Sequence, residues 1–442
     1  MFGKMSFWDK GIFLATLSVA LIKILLLHPT FSDENFYFNV AKNIAEGLTP
    51  YKDFFFAHPP LQVYTLALIY KVFGSSFFLG KLLSLFSSSA SILFLYFIIK
   101  QICKDESAFF SCLLFLFSPP FLAFSSISYG MWETMLFLLL SILLFLKKKI
   151  FFSAISFAIA IFFRYITIFY LPLLILVFWK NGKNSRFLLY LSFFTLLSFL
   201  ILLKLFGMNY VNQTLIYHIS KISVQSPSQY LNMNIFFIFL AIISTFVGFL
   251  EKNKFMILLA LSPLLLDIFL LFSLKTTFYH YFLLSLPFYL IAFSKVFDFR
   301  YVFLKFIAIA LLAVCLFINL NTLDFYLNPA YSKNFYYLAD LIKSNTEKND
   351  TIFGEPVATN YVSFVTGRKI SCNYFDSYVQ HLIFEGAEKF VENLKKERPR
   401  VIIEAEDYYT KIEKFRELVN ENYFVFEKIR GIPNYLIYKY KI

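Results

Sequence analysis

Between residues 11 and 320 the chain repeats apolar runs of about 15–20 residues, each long enough, or nearly so, to cross a hydrocarbon core of about 30 Å as a helix. A chain patterned this way cannot fold as a single soluble domain. Its composition agrees, with 59% hydrophobic and only 16% charged residues against about 25% charged in ordinary soluble proteins. The runs 11–27, 77–99, 107–125, 131–146, 150–163, 166–179, 187–206, 235–250, 255–273, 281–294 and 303–320 predict a mainly α, polytopic transmembrane bundle of about eleven spans. The first run follows Lys4 and Lys10 and ends at His28-Pro29 without a small-residue cleavage site. It reads as an uncleaved anchor with its N-terminus in the cytoplasm.

Charge fixes the orientation. Residues 1–320 hold 24 of the 41 Lys/Arg and 11 of the 28 Asp/Glu, a net charge of +13, whereas 321–442 hold 17 of each and balance to zero. With alternating spans the cytoplasmic connections carry Lys100/Lys104, Lys147-Lys148-Lys149, Lys180/Lys183/Arg186, Lys252/Lys254 and Lys295/Arg300. The short external ones hold little beyond Arg164, Lys221 and Lys275. This is the positive-inside distribution. A basic face for nucleic acid would lie on a soluble surface instead, so nucleic acid is not an expected partner. Cys103, Cys112, Cys315 and Cys372 show none of the spacing of a metal site or disulfide framework.

Two external stretches are not spans. In 28–75, Phe36, Val40, Ile44 and Leu48 recur at helical spacing, as do Leu61, Tyr64, Leu68 and Val72. Both pieces predict amphipathic helices along the outer membrane face. The second stretch, 207–234, is polar, with Asn209, Asn212, Gln213, Gln225, Gln229 and Asn232. From 321 the composition turns soluble and alternates helix-like stretches (333–345, 386–397, 410–421) with β-rich ones (351–353, 401–403, 423–426, 435–438). The reading is a membrane domain over 1–320 and an extracytoplasmic α/β domain over 321–442, outside because an odd number of crossings from a cytoplasmic start ends there.

Acidic side chains are rare in the membrane part and therefore informative. Asp9, Asp105, Glu106, Glu251 and Asp298 fall in cytoplasmic connections and read as solvated charges. Asp33, Glu34, Glu46, Asp53, Glu133 and Asp267 fall on the outer side. Asp33-Glu34 follows the first span directly, where a carboxylate could take a proton from an external acceptor; the alternative is a helix N-cap, which Ser32, Asp33 and Glu34 would suit. Asp267 reads either as a third site acid or as an interhelical hydrogen-bond partner. Spans 150–163 and 166–179 are about 20 Å long at 1.5 Å per residue, so Arg164 between them lies inside the protein and needs an anionic partner.

The run Asp33-Glu34-Asn35-Phe36-Tyr37, Gly47-Leu48-Thr49-Pro50-Tyr51-Lys52-Asp53-Phe54, His58-Pro59-Pro60-Leu61 and Phe73-Gly74 resembles the first external loop of the GT-C superfamily of membrane glycosyltransferases. More narrowly, it resembles the branch of protein O-mannosyltransferases and lipid A aminoarabinose transferases. The resemblance continues through Tyr129-Gly130-Met131-Trp132-Glu133-Thr134, Arg164-Tyr165 with Leu171-Pro172, and Lys275 followed by His280-Tyr281 and Pro287. It implies a GT-C bundle whose catalytic part includes the loop 28–75, using a polyprenyl-phosphate-linked sugar donor and an extracytoplasmic acceptor in the cell membrane. It implies Asp33, Glu34 and Glu133 as catalytic carboxylates, with Asp33 the general base or the carboxylate that orients the acceptor, and Glu34 and Glu133 shaping the acceptor site. Arg164, His58, Lys275 and Tyr281 would hold the donor phosphate, and Tyr37, Asp53 and His280 would contact substrate. Three positions depart from the relatives: Ala57-His58 stands where the aminoarabinose transferases have an acid and Lys, Lys81 where relatives often have Arg, and Glu133 where Asp is commoner.

Inverting displacement at an anomeric carbon needs a base on one side and stabilisation of the leaving phosphate on the other, which suits these residue types. Asp33, Glu133 and a histidine could hold a divalent cation, as some members of the superfamily do, although the sequence offers no closer acid pair and makes no cofactor certain. The absence of G-x-x-x-x-G-K-[ST] argues against a cytoplasmic nucleotide-sugar donor. The rival readings are a transporter or flippase of polyprenyl-linked lipids, which should show inverted repeats that this chain lacks, and a non-catalytic binder of the same lipids.

Overall fold

The structure, a computed structural model, describes residues 5–178, 184–220, 227–274, 278–298, 302–376, 385–405, 409–430 and 434–441. Helices form where the apolar runs predict them. Met131–Leu146 and Ile150–Phe163 coincide with the expected spans, and Phe77–Lys100, Asn184–Phe206 and Lys254–Ser273 overlap theirs closely. Among the described residues, five helices are long and apolar enough to cross a membrane, and a pair bent by 64°, Val302–Ile318 and Leu320–Leu327, makes a sixth. Leu61–Phe73, Met131–Leu146, Ile150–Phe163 and Tyr165–Phe178 are apolar but shorter.

Proline places the breaks inside the expected spans. The run 107–125 divides into Asp105–Leu116 and Pro119–Phe124, because Pro119 lacks an N–H and forces the preceding Ser118 into extended backbone. Two other spans open with a 3-10 turn, Tyr165–Tyr170 and Tyr279–Ser285. Each becomes an α-helix at Leu171-Pro172 and Leu286-Pro287, where the missing proline N–H falls in a first turn that would not use it.

The chain gathers into two compact units. The first comprises Met1–Leu27, Lys81–Ile201 and Ile222–Leu327; the second comprises His28–Gly80, Leu202–Lys221 and Asn328–Ile442. The long first loop thus shares a unit with the tail.

Hydroxyls and a few charges join the helices of the first unit. Ser141 Oγ donates to the Ser153 carbonyl at 2.9 Å and Ser153 Oγ to the Ser141 carbonyl at 2.8 Å, which lets two short helices approach closely. Asp267 accepts from the hydroxyls of Tyr230 at 3.1 Å, Ser285 at 2.6 Å and Tyr289 at 2.8 Å. Of its two readings, the interhelical one is realised. The acids expected to be solvated charges are not simply so: Asp9 takes Lys100 Nζ at 2.6 Å and the Tyr96 hydroxyl at 2.7 Å, and Asp298 takes the Ser107 hydroxyl at 2.6 Å.

In the second unit the helix Glu34–Ala45 is not the surface helix its periodicity predicts. Every residue from Glu34 to Ala41 is buried, because the helix packs against Leu61–Phe73 and Pro356–Thr366 together. Leu61–Phe73 does keep a surface stripe: Tyr64, Leu68 and Val72 face outward while Val63, Leu66 and Tyr70 pack inward. The polar stretch after 207 is helical rather than open, as Met208–Val211, a π turn Asn212–Ile216 and Tyr217–Ser220. There the Gln213 amide accepts from the Phe56 N–H at 2.9 Å and donates to the Tyr51 carbonyl at 3.2 Å, bracing the first loop.

The tail holds a five-stranded sheet of order β2-β1-β3-β5-β4, where β1 is Thr351–Gly354, β2 Lys369–Ile370, β3 Val401–Ala405, β4 Tyr423–Ile429 and β5 Tyr435–Tyr440. β1 pairs in parallel with β2 and β3, and β5 antiparallel with β3 and β4. The continuous apolar run of β3 is buried on both faces, as a central strand requires. Gly354 closes β1 at φ 151° with its Cα tight against β3: a Cβ there would lie 1.9 Å from the Ile403 carbonyl oxygen. Gly354→Ala should therefore destabilise the second unit by about 3 kcal/mol or more, seen as a lowered thermal midpoint or loss of folded protein in detergent.

Candidate active site

Each unit collects one group of the residues singled out from the sequence. In the first, Glu133 stands in the opening turn of Met131–Leu146. Its side chain is buried; Oε1 accepts from Ser84 Oγ at 2.9 Å and Oε2 has no hydrogen-bond partner among the described residues. The charge of Arg164, itself buried, acts on it. Arg164 ends the helix Ile150–Phe163 on extended backbone, and its Nε donates to the Tyr129 carbonyl at 2.7 Å, with a terminal nitrogen on the same oxygen. The Tyr129 ring stacks on His280 at 4.7 Å, and His280 meets Tyr281 edge-on at 4.7 Å. The Tyr281 carbonyl accepts from the Tyr170 hydroxyl at 3.1 Å. Glu133, Arg164, His280 and Tyr281 thus come together around Tyr129. Lys275 lies outside the described residues, as do Lys4, Lys180, Lys183, Lys221, Gln225 and Arg300.

The second unit holds Asp33, Glu34, Tyr37, Asp53 and His58. Asp33 occupies the N-cap position of Glu34–Ala45, yet its side chain makes no capping hydrogen bond and is exposed. The capping reading of this residue is therefore not realised. Glu34 behaves oppositely: it is 0% exposed and accepts from Thr30 Oγ1 at 2.5 Å. Burial first, and the Glu34 charge second, push the Tyr70 hydroxyl well above its ordinary range, so that phenol stays protonated. His58 is half-buried, its ring 5.6 Å from Tyr37, 5.7 Å from Phe56 and 6.2 Å from His218. Tyr51 donates to the His58 carbonyl at 2.6 Å, and His218 Nε2 lies 2.8 Å from the Ala57 carbonyl. The Asp53 carboxylate accepts from the Thr49 N–H at 2.7 Å, closing the turn that presents the aromatic run Phe54-Phe55-Phe56. Among the described residues no three His, Cys, Asp or Glu side chains group as a metal site.

Two residues here were not singled out from the sequence. Lys23, near the end of the helix Phe7–Leu25, is buried with Lys81 as its charged neighbour; being the one basic residue inside the first apolar run was its signal. Glu355, at the end of β1, is 1% exposed, and its signal was the order β-run, Gly-Glu, Pro, which marks a strand feeding a capped helix. Burial pushes its carboxyl up to about 7; the N–H groups of Ala358 and Val357 oppose that shift and the charge of Asp33 adds to it. The folded chain therefore keeps a proton that the unfolded chain releases near the ordinary 4.5. Stability should fall as pH rises from about 4.5 to about 7, by about 3 kcal/mol in all, and be flat above. Glu355→Gln should remove that part of the slope, read as a smaller drop in thermal midpoint between pH 5 and pH 8.

Short interrupted apolar helices, buried charges and an acid-bearing first loop agree with the resemblance to the GT-C superfamily, in the branch of protein O-mannosyltransferases and lipid A aminoarabinose transferases. Residues 57–207, which hold His58, Glu133 and Arg164, match the family of dolichyl-phosphate-mannose-protein mannosyltransferases. The crystal structure of ArnT from Cupriavidus metallidurans in the apo state is similar with a TM-score of 0.67 at 12% identity, over 96% of each chain. The same enzyme bound to undecaprenyl phosphate gives 0.62 at 12% identity, over 98% of each chain. The Archaeoglobus fulgidus oligosaccharyltransferase in its apo form gives 0.51 at 12% identity, over 96% of this chain and 74% of that one. No curated protein matches the chain in sequence.

Proposed function

We propose that this chain is an integral-membrane glycosyltransferase that moves a sugar from a polyprenyl-phosphate donor to an acceptor on the extracytoplasmic side, with inversion. The observation that carries the reading is the family match over 57–207, which takes in the cations Arg164 and His58 and the carboxyl of Glu133. The structure of ArnT with undecaprenyl phosphate supports a donor of that lipid class. In the reaction the acceptor oxygen bonds to the anomeric carbon, the bond from that carbon to the phosphate oxygen breaks, and polyprenyl phosphate leaves as an anion. Asp33 takes the acceptor proton, while Glu34 and Glu133 shape the acceptor site. Arg164 offers phosphate a two-pronged fork, joined by His58, Lys275 and Tyr281, and Tyr37, Asp53 and His280 contact substrate. Residues 1–320, with the loop 28–75, form the catalytic membrane part, and 321–442 lie outside the cytoplasm.

The test is transfer of label from a panel of radiolabelled polyprenyl-phosphate sugars into membrane extracts by the purified protein. Transfer from one donor class is expected. Specific lipid binding without transfer from any of them would favour a silent binder or a lipid transporter instead.

A further inference from the structure

The polar segment 207–220 belongs to the second unit and has no part in the proposed reaction, yet its side chains converge on one tripeptide of the first loop. Gln213 is buried; it accepts from the Phe56 N–H at 2.9 Å and donates to the Tyr51 carbonyl at 3.2 Å. His218 Nε2 lies 2.8 Å from the Ala57 carbonyl; a carbonyl only accepts, so that nitrogen carries the hydrogen. The Tyr51 hydroxyl donates to the His58 carbonyl at 2.6 Å. Phe56, Ala57 and His58 thus each have a backbone group tied down by a side chain.

The local backbone is shaped for this clamp. In an α-helix, residues five apart lie about 140° around the axis from one another. Between Gln213 and His218 the chain instead makes the π turn Asn212–Ile216, where the Tyr217 N–H reaches the Asn212 carbonyl five residues back. That widening brings both side chains to one face, and such turns are rare and frequent at functional sites. Tyr51 sits at φ 66°, a left-handed conformation that costs a bulky residue energy and persists only where its surroundings hold it. The rings of Tyr210 at 5.2 Å and Phe206 at 5.0 Å pack against it. Phe55, Ala57 and Tyr217 form a buried apolar cluster beside the clamp. The His58 ring stays half-buried, and none of these hydrogen bonds occupies its imidazole.

We infer that Gln213 and His218 are positioning residues for His58: they clamp the backbone on which it stands, so that its imidazole meets the donor phosphate already ordered. A ligand group fixed in advance spares the ordering cost that a loose side chain pays on binding. The segment 207–220 then belongs to the donor site through the backbone it holds. This inference rests on the reading of His58 as a ligand of the donor phosphate.

The test measures binding of undecaprenyl phosphate to the purified full-length protein in detergent, beside thermal unfolding of each variant. Gln213→Leu and His218→Phe should each raise Kd about 2- to 10-fold, the worth of one immobilised side chain. His218→Gln keeps an N–H donor and should bind as wild type does. His218 is half-buried, so its variants should fold even if Gln213→Leu does not. His58→Ala should raise Kd about 10-fold or more. Adding His218→Phe to His58→Ala should change nothing further, because no imidazole is left to position. Wild-type affinity in folded Gln213→Leu or in His218→Phe, no rescue by His218→Gln, or equal weakening by His218→Phe with and without His58 would overturn the inference. Wild-type affinity in His58→Ala would instead overturn the reading of His58, and the inference with it.

Discussion

Asp33→Asn should lower sugar transfer by about 100- to 10,000-fold, the range general-base catalysis supplies, while donor binding and the thermal midpoint stay near wild type. Asparagine keeps the shape and removes the proton acceptor. The fold should tolerate the change, because Asp33 is exposed and its side chain does not cap the helix Glu34–Ala45 that follows it. The neighbouring acid makes the control. Glu34 is buried on Thr30, so Glu34→Gln should cost stability as well as rate. Initial rates at saturating donor, measured beside thermal unfolding of each variant, separate the two; wild-type rates in Asp33→Asn would remove the base role.

Arg164→Ala should weaken binding of polyprenyl phosphate by about 10- to 150-fold, the worth of a charge-assisted hydrogen bond at about 1.5–3 kcal/mol. It should also destabilise the first unit, since Arg164 is buried, holds the Tyr129 carbonyl and carries a charge that acts on the buried Glu133. The two effects come apart in the double variant Arg164→Ala/Glu133→Gln. With no carboxylate left to strand, the thermal midpoint should recover while the affinity for polyprenyl phosphate stays low. Recovery of both would make Arg164 a partner of Glu133 alone, with no part in holding phosphate.

The membrane helices were legible because lipid imposes a simple rule: a long apolar run must satisfy its own backbone as a helix. Met131–Leu146 and Ile150–Phe163 could be read to the residue for that reason. Hydropathy could not show where Pro119, Pro172 and Pro287 divide a run, because proline scores as apolar while it removes a hydrogen bond. In the tail, Lys333–Asn345 matched its predicted bounds because only one of its faces is buried. The helix Pro356–Thr366 was missed since Pro356 to Phe364 are all buried, which erases the helical period a sequence reader relies on.

The same limit governs the candidate site. Asp33, Glu133 and Arg164 stood out as charges in apolar surroundings, and their motifs lie in short contiguous stretches. The contacts around them are non-local: the hydrogen bond of Ser84 to Glu133 and that of Asn39, in the helix after Asp33, to Asn360 join segments distant in sequence. The burial of Glu34–Ala41 was hidden in the same way, because the helix that covers it comes from the tail.

A lipid transporter and a glycosyltransferase of this class would bind the same donor but leave it chemically different. The decisive measurement is therefore the fate of a synthetic polyprenyl-phosphate sugar in proteoliposomes of the purified protein, with membrane extract supplying acceptor outside. Free polyprenyl phosphate should appear in step with labelled acceptor, and both should vanish with Asp33→Asn. Passage of the intact lipid-linked sugar from one leaflet to the other, with no polyprenyl phosphate released, would contradict the glycosyltransferase account.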